Sequence, residues 1–146
     1  VEEKMVEALR ELIEPFVRGE LGCECPDEVF SDIRVVQHPA AWSALPVDYA
    51  LEIGGRLLVV VCLPDRWSEA ATCLPELIRK GIQARDRGGF NRIRLVLPTS
   101  NRGLAEQALD ARFSELAAKE PKLHLHIVGL AGLPAIATTK GSSPSD

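Results

Sequence analysis

No apolar run in this chain approaches the roughly 20 residues that a membrane-spanning helix needs. Cysteine is scarce, with residues only at Cys23, Cys25, Cys62 and Cys73. Cys62 falls in an apolar strand pattern and Cys73 in a helical one. That reads as buried thiols in a reducing cytoplasm rather than a disulfide framework. Aromatic residues make up 5% of the chain. Trp42 and Trp67 stand near expected strand ends, where packing over a sheet edge is a simpler role than stacking on bases. The net charge of −4 argues against indiscriminate nucleic-acid binding. Ser43, Ser68 and Ser100 lack any Gly-x-Ser-x-Gly context, so a serine hydrolase finds no support. The chain opens at Val1 with a charged amphipathic segment, and no signal peptide is expected.

What is present suits one domain. The 146 residues are 46% hydrophobic and 26% charged, enough to bury a core. Residues 1–137 are expected to form a single α/β domain, and 138–146 a polar tail with no core-forming pattern. Apolar residues from Met5 to Val17 recur at three- and four-residue intervals, predicting a helix over 3–19 that Gly19 and Gly22 stop. Strands are expected at 32–37, 47–53, 56–63, 92–97 and 123–128. Pro98 is expected to stop the fourth. A helix over 67–85 contains Pro75, which implies a kink or a helix proper starting near 74. Asn101 caps a helix over 102–119 whose inward residues are expected to be Leu104, Ala108, Leu109, Phe113 and Leu116.

The order is α-β-β-β-α-β-α-β. Strands joined by helices should be parallel, and the first three should form an antiparallel meander. The result is a mixed sheet flanked by helices. A two-residue turn at Gly54-Gly55 would place Asp48 opposite Val61.

Asp48 ahead of this Gly-turned hairpin, and an apolar strand running into Leu63-Pro64, resemble the restriction-endonuclease-like, PD-(D/E)xK, superfamily. The pattern is most similar to small bacterial domains akin to the N-terminal nuclease domain of type I restriction motor subunits, and to Holliday-junction resolvases. The resemblance implies a Mg²⁺ site at the hairpin end and phosphodiester cleavage by a metal-activated water. Of the family's metal ligands only Asp48 carries over. The Glu-x-Lys slots hold Val61 and Leu63, or Val60 and Cys62 one register away. A family glutamate on the first helix would correspond to Glu7, Glu11 or Glu14. The resemblance therefore implies a degenerate active site and no cofactor. A rearranged site would use Asp48 with Glu76 and Lys80, although that helical pair also reads as a surface salt bridge.

Residues 79–102 hold seven basic residues against one acid, Asp86. Arg85, Arg87, Arg92, Arg94 and Arg102 are the candidates for a nucleic-acid-binding rim; solvated surface explains them as simply. Cys23-Glu24-Cys25 with His38 offers three metal ligands at poor zinc spacing. His124-x-His126 puts two imidazoles on one strand face, where a solvated or satisfied pair is the plainer reading. Gly129-Leu-Ala-Gly132 lacks the fuller phosphate-loop pattern.

Three functions remain open. One is a non-catalytic nuclease-fold domain that binds nucleic acid or protein. The second is a Mg²⁺-dependent endonuclease with a rearranged site. The third is a Rossmann-like small-molecule-binding protein. A cytoplasmic location and no membrane partner are expected in each case.

Overall fold

The computed structural model describes residues 10–22 and 27–134. The expected start of the first helix, the Cys23–Cys25 pair and the polar tail lie outside the described residues.

Five strands form one sheet in the order β1-β2-β3-β4-β5. They are β1 (Ile33–Gln37), β2 (Val47–Ile53), β3 (Leu57–Cys62), β4 (Arg92–Thr99) and β5 (Leu123–Gly129). The first three pair antiparallel and the last three parallel, as connection length demands. Every residue of β3 is buried, as befits a central strand covered on both faces.

The first helix, α1, is described over residues 10–15 and widens into a π-helical turn, Phe16–Glu20. Gly19 lies inside this turn rather than ending it. The turn closes where Leu21 N–H donates to Phe16 O at 3.2 Å. The long helical segment divides at Cys73 into α2 (Trp67–Thr72) and α3 (Leu74–Gly88), with Pro75 in the first turn of α3. There its missing N–H costs nothing. Gly89 ends α3 in the left-handed conformation at φ 71. The last helix, α4, spans Arg102–Leu116, and the Asn101 side chain caps it by accepting from Leu104 N–H at 3.2 Å.

Two apolar layers sandwich the sheet. On one face Leu58, Val60, Cys62, Ile93, Leu95 and Leu97 pack against Leu74 and Leu77 of α3 and Ala105, Leu109 and Phe113 of α4. On the other, Tyr49, Leu51, Ile53, Val59 and Val61 pack beneath Ile13, Phe16, Val17 and Phe30.

Three more expectations are corrected. Leu104 and Leu116 are exposed, at 48% and 41%. The buried stripe of α4 is Ala105, Leu109, Phe113 and the following Ala117, because alanines let the helix sit close to the sheet. Pro98 continues β4, pairing with Val128. Its carbonyl accepts from Asp65 N–H at 2.9 Å, on the side where β3 has already ended, so no ladder bond to β3 is lost. The hairpin turn has three residues, Gly54 to Arg56, not two. The Arg56 carbonyl accepts from Asn91 N–H and Arg92 N–H, which recruits it to the start of β4.

Candidate functional site

The longer turn shifts the hairpin register. Tyr49, not Asp48, stands opposite Val61, and a bulge at Asp48 restores the pairing of Val47 with Cys62. The Asp48 carbonyl accepts from His38 N–H at 2.9 Å, tying the bulge to the end of β1. The side chain is half-buried. Burial raises its carboxyl above the usual carboxylate range, and His38 opposes that rise. Its neighbours across the ladder, Val61 and Cys62, are 0% and 1% exposed.

Glu76 and Lys80 do not join Asp48 through any hydrogen bond or ion pair. The expected Glu76–Lys80 pair is replaced by one between Glu76 and Arg79, within the first turns of α3. Arg79 holds the Glu76 carboxyl below its ordinary range. Glu14, a candidate first-helix acid, is clasped by Arg10 at 2.9 Å and Arg18 at 2.8 Å. Glu11 is exposed, and Glu7 lies outside the described residues. Glu52 faces its β1 partner Arg34, 3.7 Å away. Among the described residues no group of three or more His, Cys, Asp or Glu side chains could hold a metal ion. A lone half-buried carboxyl against apolar neighbours does not fit Mg²⁺, which demands several oxygens around one centre.

The candidate arginines do not converge. Arg85 leaves α3 toward Glu120 at 2.8 Å and Asp86 at 3.2 Å. Arg87 is exposed near the end of the same helix. Arg102 starts α4 beyond the far end of β4 and lies 3.7 Å from Glu106. Arg92 and Arg94 share the opposite sheet face from α3, because side chains alternate along β4 and Val96 belongs to the layer beneath α1.

That face carries a pattern of its own. Arg92 Nη1 lies 3.2 Å from His124 Nε2, and Arg94 Nη1 lies 2.8 Å from His126 Nε2. A guanidinium can only donate, so each imidazole accepts through Nε2 and carries its proton on Nδ1. Burial, then Arg94, then His124 push the His126 pKa down to about 4. Burial and the two arginines lower His124 as well. Both rings are therefore neutral at pH 7. Arg94 also donates to Leu21 O at 3.1 Å, capping the end of the π-turn. It is only 9% exposed, and its Nε has no hydrogen-bond partner among the described residues.

Sequence reasoning flagged Arg92, Arg94, His124 and His126, but never as one group. The available signal was the matching x-polar-x-polar period in two strands expected to be parallel neighbours.

A second cluster had no sequence flag. Asp65, at φ 57, follows β3. Its Oδ1 accepts from Ser100 N–H at 2.7 Å, Ser100 Oγ at 3.0 Å and Thr99 Oγ1 at 3.2 Å. The Ser100 backbone donor, followed by its hydroxyl, holds the carboxyl below its ordinary range. The cluster clasps the C-terminal ends of β3 and β4. The Gly129–Gly132 segment ends in a 3-10 turn, Leu130–Gly132, and a single such turn aligns too few amide groups to make a phosphate cradle.

Comparisons with family models, with curated proteins and with solved structures return no match for this chain. The described residues include no helix long and apolar enough to cross a membrane.

Proposed function

We propose that this chain is a restriction-endonuclease-like domain without nuclease chemistry, and that it acts as a binding module with a protein partner. The observation that carries the reading is the pair of sealed apolar positions, Val61 and Cys62, facing the Asp48 bulge. A phosphodiester-cutting site needs oxygen ligands and a cation there. The mixed sheet supports this reading over a doubly wound nucleotide-binding sheet. Its strands run in sequential order, without the reversal that opens a ligand crevice at a switch point.

Protein is the better partner class than nucleic acid. Arg85 is engaged by carboxylates, Arg94 is buried, and the remaining arginines lie on different elements. The net charge is −4, and the candidate arginines among the described residues form no single rim to neutralise successive phosphates. Titration with short duplex and single-stranded DNA at about 50 mM salt tests this. The expected result is no saturable binding. Binding that weakens steeply with salt, and falls on joint charge reversal of Arg85 and Arg87, would transfer the proposal to nucleic acid.

A further inference from the structure

We propose that Arg92, Arg94, His124 and His126 form a binding site for a phosphate group on the β4–β5 face beneath α1. Four observations carry it. First, parallel pairing sets the two strands side by side, with Arg94 opposite His124 and Val96 opposite His126. The polar side chains of both strands therefore project from one face. Second, two guanidinium groups stand together, and neither has a carboxylate partner among the described residues. Third, Arg94 is nine-tenths buried, and among the described residues its Nε is unpartnered and its bonded acceptors are a carbonyl and a neutral ring. An uncompensated buried cation is costly, and a bound anion supplies the missing charge. Fourth, the ladder is graded. Arg92 is exposed at its outer end while Arg94 is buried at its inner end, so an anion arriving from solvent meets Arg92 and His124 first.

Phosphate matches two guanidinium groups better than a carboxylate does. It brings up to two negative charges and oxygens enough for donors from both strands. The histidines make the site responsive to protons. In the ligand-free ladder their Nε2 atoms are acceptors. Beside an oxyanion each can take a proton from solvent and turn from acceptor to donor. Binding of the phosphate dianion then carries proton uptake, and the affinity for the dianion should change by about tenfold per pH unit for each proton taken up. Occupancy of this site does not depend on the partner class proposed above.

The test is titration of the whole chain with sodium phosphate at constant ionic strength, followed by the ring proton resonances of the three histidines, His38, His124 and His126. Inorganic phosphate and a phosphate monoester, phosphoserine, are separate arms that tell a free ion from a phosphorylated ligand. Acetate and chloride are the comparisons. Phosphate or phosphoserine should shift His124 and His126 saturably and leave His38 in place. The affinity, expressed per phosphate dianion, should be greater at pH 6 than at pH 7.5. Arg92→Gln and His124→Gln, both at the accessible end where folding is least at risk, should weaken binding at least tenfold. A response that chloride reproduces, equal binding of acetate, or wild-type affinity in both variants would overturn the site.

Discussion

At the residue scale, several buried polar groups set measurable behaviour. Tyr49 is fully buried and its hydroxyl has no hydrogen-bond partner among the described residues. Burial, with Asp48 nearby, pushes its ionisation well above the ordinary range. An unsatisfied buried hydroxyl costs about 1–3 kcal/mol. Tyr49→Phe should therefore leave stability unchanged or raise it by about 1 kcal/mol, read from urea denaturation midpoints. Cys62 is sealed, and its thiol is pushed up to about 12, so it should resist alkylation in the native protein. Half-buried Cys73 should react before Cys62. His126 couples folding to pH. Between about 4 and its ordinary value of 6.5, the unfolded chain binds a proton that the folded chain refuses. Stability should thus be full above pH 6.5 and fall as pH drops through that window. Melting temperatures from pH 7 to pH 4.5 should show the loss, and His126→Gln, which keeps an acceptor for Arg94, should flatten it. Asp65 and Glu14, whose pKa values are lowered, lose their contributions further down, as pH falls below the ordinary carboxylate range.

At the element scale, caps and turns decide where segments begin and end. Asn101→Ala removes the acceptor for Leu104 N–H and should cost about 1 kcal/mol in chemical denaturation. Gly54 is at φ 61, and a Cβ there would approach the Val29 Cβ to 2.6 Å. Gly54→Ala should cost more than the roughly 1–2 kcal/mol of a left-handed L-residue, since the hairpin must also move off Val29. Strand and helix existence was legible because period-two and period-3.6 patterns are strong here, and Pro75 and Asn101 mark helix starts with a known mechanism. Fine placement was not. The two-glycine signal fits a two-residue turn, but the third residue, Arg56, is fixed by bonds to Asn91 and Arg92 that lie far along the chain. Leu104 and Leu116 look like core residues by hydropathy alone. Close helix–sheet packing chose Ala105 and Ala117 instead.

At the scale of the whole molecule, connection lengths made the mixed sheet legible: a turn of two or three residues permits only a hairpin, and helical links permit parallel crossovers. The candidate site was legible only in pieces. Asp48 was visible, but the bulge that turns it out of the expected register was not. The Arg–His ladder needs the β4–β5 register, and the Asp65 clasp needs the ends of β3 and β4 to be neighbours; neither adjacency is local in sequence. What remains is a domain whose hairpin presents one carboxyl against sealed apolar partners, with its five candidate arginines divided among α3, β4 and α4. The central claim is that this arrangement binds without cutting. Its most direct test is incubation of the purified protein with plasmid DNA and with RNA in Mg²⁺ or Mn²⁺, beside Asp48→Ala. The account predicts no cleavage above background and no difference between the two proteins. Metal-dependent cleavage by the wild type that disappears in Asp48→Ala would contradict it.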